Sequence, residues 1–218
     1  MNFKLLFFIL FLMMTEVLFA QSKLIFNQFL LYEHSECNYD RDHYQFVYMM
    51  SSGSHDEFLE YTRQGSDTVN VTISKLGEFH AHSVFKESEI FSDKHMKFRT
   101  KFQYWELDFY KKKARDKFEL TYDQDTIING KAYKLIKLTS KKKKNASYKS
   151  YNIVVDPTDQ SQKLTVPNHK VHYLLEDIRA EIRGEIYMTF YRDHSQKIYC
   201  RSVLTQKEAI QKTIQIGD

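Results

Sequence analysis

Glycine and proline are scarce in this chain, six and two among 218 residues, so its turns fall to Asn, Asp, Ser and Lys. No Gly-x-Ser-x-Gly elbow occurs, which removes the usual signature of an α/β-hydrolase nucleophile. No apolar run is long enough for a transmembrane span. Neither charge sign dominates: the formal net charge is +4 and the pI is near 8.8, well short of a dedicated nucleic-acid binder. Only Cys37 and Cys200 are present, and neither follows the expected cleavage site, so the lipid-attachment arrangement of a bacterial lipoprotein is missing. No internal repeat, low-complexity linker or composition break divides the chain.

What is present begins with the N-terminus. Met1–Lys4 carries one positive charge, Leu5–Met14 (LLFFILFLMM) is unbroken apolar sequence, and Thr15–Ala20 ends on a small residue before Gln21-Ser22-Lys23. That order is the one of a secretory signal peptide, and it predicts cleavage after Ala20. Residues 21–218 are then one exported domain. Export permits a bridge between Cys37 and Cys200. Closing so long a loop is worth up to about 5 kcal/mol in the chain-entropy model. The alternative is two unpaired thiols too far apart to meet.

The 17 Phe and 15 Tyr suit pleated, half-buried surfaces and tilt the class towards β. From Tyr44 strand-like runs alternate with turn signals: Tyr44–Met50, Glu57–Thr62, Thr68–Ile73 and Glu78–Phe85. Such spacing marks antiparallel architecture. Ser54 and Glu57 offer a competing capping box, with a short helix over 55–64. Lys86–His95 reads as a polar connection. Lys97–Tyr110, which holds the only Trp, Trp105, reads as one or two core strands. Asn129-Gly130 is the strongest hairpin signal in the chain. It leads into Lys131–Leu138 (KAYKLIKL), with Ile136 and Leu138 on one face and Tyr133 and Leu135 on the other. Tyr148–Asp156 returns as its partner and Pro157 stops it. Lys170–Leu175, Ile178–Arg183, Glu185–Tyr191 and Ile198–Val203 read as further strands, the last placing Ile198 and Cys200 on one face. Thr205 and Glu208 form a capping-box pattern that predicts a short C-terminal helix from about Gln206 to Lys212. The expected fold is mainly β, a single antiparallel meander or curved sheet or a β-sandwich, with that helix at its end.

The export signal, the meander and the hairpin INGKAYKLIKL followed by YNIVVDP resemble the β-rich envelope proteins of Gram-negative bacteria. Some of these are similar in layout to the periplasmic lipoprotein carriers, whose curved antiparallel sheet holds an acyl chain. The resemblance covers residues 40–200 in layout, and the Gly-Leu-Pro-Gly-Leu-Ile signature of one such group is absent, so it carries over no functional residue.

Chemistry-bearing residues are few. His80 and His82 share a face if they lie on a strand, where both imidazoles reach one ion given a third ligand. His169 and His172, three apart, point to opposite faces of a strand. Ser54-His55-Asp56 are adjacent and diverge, whereas a triad must converge in space. Asp123 and Asp125 open like a calcium loop but fall out of register, and Glu176 and Asp177 have no evident acid or base partner. Lys111–Lys113, Arg115 and Lys117 form one basic cluster, and Lys141–Lys144 a second. Together they suit an anionic membrane surface or acidic glycan; apart, they are solvated loops and protected edges. Asn70-Val71-Thr72 and Asn145-Ala146-Ser147 are glycosylation sequons, meaningful in a eukaryotic host only.

The expectation is an exported, periplasmic or secreted, non-enzymatic envelope protein that binds a protein or lipid partner or serves a structural role. It assigns no catalytic, metal or cofactor residue, and no nucleic-acid partner. Two alternatives stand beside it: a carrier of an apolar ligand, with the aromatic residues around Trp105 lining a concavity, and a metal-dependent hydrolase using dispersed His, Asp and Glu.

Overall fold

The computed structural model describes residues 22–35, 46–51, 57–63, 67–75, 78–92, 95–98, 103–104, 116–122, 125–141, 148–158, 164, 171, 174–175 and 182–216. Residues 1–21, where the signal peptide is expected, Cys37 and Trp105 lie outside the described residues. Among the described residues, thirteen strands join in one open, curved, mainly antiparallel sheet. They are β1 (Ser22–Ser35), β2 (Phe46–Ser51), β3 (Glu57–Arg63), β4 (Thr68–Lys75), β5 (Phe79–Lys86), β6 (His95–Phe98), β7 (Gln103–Tyr104), β8 (Phe118–Tyr122), β9 (Thr126–Ile128), β10 (Lys131–Ser140), β11 (Ser150–Asp156), β12 (Glu185–Arg192) and β13 (Ile198–Ile216). Their lateral order is β7-β5-β4-β3-β2-β1-β13-β12-β11-β10-β8, with β9 paired to β10 and β6 running parallel to the end of β13.

The spine is the pair of longest strands. β13 is 19 residues long, about 60 Å of extended chain, and it pairs with β1 from Ser35↔Arg201 to Ser22↔Ile216. It carries extra residues at three points: Tyr199 against β12, and Thr205 and then Ile210-Gln211 against β1. Extra residues on one strand bend it and increase its twist. Past Val203 the sheet splits, because β12 pairs with β13 only as far as Met188↔Val203. At the split the Tyr32 hydroxyl donates to the Ile186 carbonyl oxygen at 2.9 Å, and Lys207 pairs with Glu185 at 2.5 Å.

This bending gives two lobes with cores on opposite faces. Successive strand residues point to opposite faces, and at the spine they feed different cores. Leu30, Tyr32 and Met49 enter the core of the β10–β12 lobe, whereas Phe29 and Met50 enter that of the β2–β5 lobe. The β2–β5 core is closed by α1 (Glu87–Ser92) through Ile90, and by Met96 and Phe98 of β6. The other core is closed by Leu164, Val171, Leu174, Leu175 and Ile182. Behind the β10–β12 lobe a smaller cluster buries Tyr133, Val154 and Phe190, with Tyr133 stacked on Tyr187 at 4.7 Å between centroids. Both faces of β10 and β11 are therefore apolar.

Several local expectations hold. The meander is β2 to β5, and Glu57–Arg63 is strand, so the capping box at Ser54 does not make a helix there. Asn129 and Gly130 both adopt positive φ, 50° and 79°, as a two-residue hairpin turn of the primed type requires. Tyr133 and Leu135 face away from Ile136 and Leu138 as the alternation indicates.

Four expectations are corrected. The short C-terminal helix over Gln206–Lys212 is strand, part of β13. Its ladder with β1 supplies more hydrogen bonds than an isolated turn of helix, whose nucleation is unfavourable. The Thr205 hydroxyl accordingly donates to the Leu31 carbonyl oxygen at 3.2 Å rather than capping a helix. Conversely, the polar connection at Lys86–His95 contains α1. The Glu89 carboxylate reaches back to the Lys86 N–H at 3.0 Å, the capping contact of a helix start. Val171, Leu174 and Leu175 are helical rather than strand; their i, i+3, i+4 spacing turns all three into one core. Last, Ile198 and Cys200 do not share a face. The extra residue Tyr199 sets Ile198 opposite Arg192 and Cys200 opposite Tyr191.

Candidate functional site

The described part of the β10–β12 lobe offers one surface where apolar and polar groups converge. In register across it run Leu120, Leu138, Tyr151, Tyr191 and Cys200, one from each of β8, β10, β11, β12 and β13. Directly opposed residues in an antiparallel ladder share a face, so this row lies on the face of the lobe's main core rather than that of the Tyr133 cluster. Leu138 and Tyr151 are buried, while Phe118, Leu120, Tyr148, Tyr191 and Leu204 remain half-buried around them.

The rim of that face is aromatic. Phe118 and Tyr148 stack with planes 8° apart and centroids at 6.1 Å. Tyr148 touches Tyr191 at 4.7 Å, and Tyr191 touches Tyr151 at 4.7 Å. Four rings thus pass from the buried floor to the half-exposed edge. Aromatic pairs in such geometry add about 0.5–1.5 kcal/mol each beyond their burial. Polar groups lie one rung further along. His34 faces Ser202 on the adjacent strand, with Nδ1 and Oγ 2.9 Å apart, and burial pushes the imidazole pKa down. Burial also pushes the Tyr151 hydroxyl up to about 12, against a hydrogen bond with Thr189, and raises the Tyr32 hydroxyl further, helped by Glu185. Both phenols stay protonated at neutral pH.

The β2–β5 lobe carries the histidine pair. His80 and His82 do share a face of β5, their rings in edge contact at 5.1 Å. His82 Nδ1 lies 2.8 Å from the Thr72 hydroxyl, and burial, then His80, lowers its pKa. Among the described residues no group of three His, Cys, Asp or Glu is placed to hold a metal ion. Thr72 also pairs with Glu60, whose carboxyl is pushed up by burial. A carboxyl raised in the folded state binds its proton more tightly there. Its contribution to stability is full below the unfolded pKa and is lost as pH rises through the folded one. Glu60→Gln is therefore expected to raise the melting temperature at pH 8 and leave it unchanged at pH 4, a difference that paired thermal melts would show.

Ser54-His55-Asp56, Asp123, His169, His172, Glu176 and Asp177 lie outside the described residues, as do Lys111–Lys113, Arg115 and Lys142–Lys144. Asn70 is half-buried within β4, a poor glycan acceptor, and Asn145 lies outside the described residues. Among the described residues no helix is long and apolar enough to cross a membrane. The aromatic rim was not singled out from sequence. Its rings come from three separate strands and one loop, and only the frequency of Tyr and Phe hinted at it.

No protein-family model matches the chain, and no curated protein sequence does. Some solved structures are similar to it at low identity. MucB in its complex with MucA from Pseudomonas aeruginosa is 9% identical with a TM-score of 0.42, over 84% of this chain and 51% of that one. A LolA-superfamily protein from Nitrosomonas europaea is 10% identical with a TM-score of 0.31, over 92% and 88%. A DUF1329 family protein from Desulfovibrio piger is 8% identical with a TM-score of 0.33, over 90% and 89%. The chain spans about half the length of the MucB chain it matches. At these identities and TM-scores the likeness carries no function across.

Proposed function

We propose that this chain is an exported, non-enzymatic binding protein of the cell envelope, with the aromatic rim of the β10–β12 lobe as its contact surface. The observation that supports this is the series Phe118, Tyr148 and Tyr191, left half-buried beside a floor that its own chain already covers. Tyr and Phe at such an edge offer apolar area with little rotamer entropy to lose. The test is a photo-crosslinking residue placed at Tyr148 in the full chain, in its own compartment, with Lys134 as control. Lys134 is exposed and sits away from the rim. A discrete adduct at 148 and none at 134 is expected. Equal labelling at both positions, or none at 148, would overturn the assignment of the rim.

We also infer that Cys37 and Cys200 are bridged after export and removal of residues 1–20. Ser35 pairs with Arg201 at the end of β1, one residue from Cys200. Two further residues span at most about 7 Å, which keeps Cys37 within reach of a disulfide. Intact mass with and without reduction and alkylation checks both statements together.

A further inference from the structure

Beneath the aromatic rim the strand ends form a row of cations. Lys117 precedes β8, Lys141 follows β10, Lys149 precedes β11, Arg192 ends β12 and Lys197 precedes β13. Main-chain hydrogen bonds tie these positions together. The Lys141 N–H donates to the Lys117 carbonyl at 2.9 Å, Ser140 to Lys149 at 2.9 Å, Lys149 to Arg192 at 2.7 Å, and Asp193 to Lys197 at 3.0 Å. With strands about 4.8 Å apart, the row is about 20 Å long. Lys141, Lys149 and Lys197 are exposed and Lys117 half-buried. The Arg192 guanidinium is turned away, 5.2 Å over the Phe190 ring and bonded to the Gln196 carbonyl. Among the described residues the acids at or next to this end are Asp116, Glu119 and Asp193. The Asp193 carboxylate is committed to the Ser195 hydroxyl and the Lys197 N–H. Among the described residues of this end cations outnumber acids.

Protection of a sheet edge does not account for this row. Lys141 and Lys149 terminate β10 and β11, which are interior strands with neighbours on both sides. Like charges on adjacent strands repel, and neighbours in the row lie within one Debye length of each other at physiological salt. A row of cations beside half-buried Tyr and Phe matches the two layers of a membrane interface. Lysines meet anionic headgroups there, and amphipathic rings sit at headgroup level. The Lys117–Lys141 rung pairs two basic residues 24 positions apart in sequence.

We propose that this end of the β10–β12 lobe docks on an anionic membrane surface, the lysine row on the headgroups and Phe118, Tyr148 and Tyr191 at the interface. The proposal rests on the rim being a contact surface, and it names the membrane as what the rim contacts. The experiment is flotation of the full exported chain with vesicles of phosphatidylcholine alone and of phosphatidylcholine mixed with phosphatidylglycerol. Binding to the mixed vesicles only is expected, and loss of it when salt is raised to about 0.5 M. Each basic residue near such a surface is worth about a factor of five, so Lys141→Gln with Lys149→Gln should weaken partitioning about 25-fold. Lys86→Gln with Lys134→Gln, equal in charge but off the rim, should leave it unchanged. Equal binding to both vesicles, insensitivity to salt, or equal effects of the two double variants would overturn the proposal. Displacement by millimolar inorganic phosphate at constant ionic strength would also overturn it, by making the row a small-anion site. If vesicles fail while the crosslink at Tyr148 still captures a discrete protein, the membrane falls and the rim as a contact surface stands.

Discussion

Gly184→Ala is expected to destabilise the protein by about 3 kcal/mol, the order of cost of forcing a side chain into a forbidden backbone region. Gly184 has φ of +129°, a conformation that L-residues with a Cβ rarely adopt. Space excludes the methyl as well. A Cβ there would lie 2.1 Å from the Asp156 carbonyl oxygen and 3.0 Å from a methyl of Val155. The obstacle is main chain within the β11–β12 pairing, where Asp156 faces Glu185 and Val155 faces Ile186. Relief means breaking the rungs next to the split of the sheet, which hold the Tyr32 hydroxyl and the Lys207–Glu185 pair in place. Urea denaturation followed by circular dichroism measures the shift directly. A midpoint equal to that of the parent protein would show that the chain does not take this conformation at residue 184.

Reduction of the bridge proposed between Cys37 and Cys200 is the second large effect. A loop of about 160 residues removes much of the entropy of the unfolded chain, and its loss is expected to cost up to about 5 kcal/mol. Cys200 lies on β13 opposite Tyr191, so the bridge would pin the exit of β1 to the row that carries the aromatic rim. The double variant Cys37→Ser, Cys200→Ser should melt at the same temperature with and without reductant, and the parent should fall to meet it. A parent protein indifferent to reductant, with two alkylatable thiols in the exported form, would remove the bridge.

Local alternation determined a good part of this fold. Thr68–Ile73 reads as strand because polar and branched residues alternate along it, and Val69, Val71 and Ile73 are buried in β4, while Asn129-Gly130 reads as a turn because few other pairs accept two positive φ values. β1 was not legible in the same way. Its FLLY stretch is apolar without alternation because Phe29 and Leu30 feed cores on opposite faces, and a strand buried on both sides loses its period of two.

The end of β13 shows the opposite failure. Thr205 and Glu208 satisfy a helix-start pattern locally, but β1 lies alongside with a full ladder, and long-range pairing outweighs a weak local preference. The candidate site belongs to that same class of fact. Phe118, Tyr148 and Tyr191, and Lys117, Lys141 and Lys149, come from segments separated by up to tens of residues, and each is ordinary in its own context. By itself the sequence determined β class, the meander and the central hairpin, because those depend on neighbours a few residues apart. Only the tertiary structure decided the split of the sheet, the two opposed cores and the rim. Those depend on which strands meet and on the extra residues in β13 that bend it.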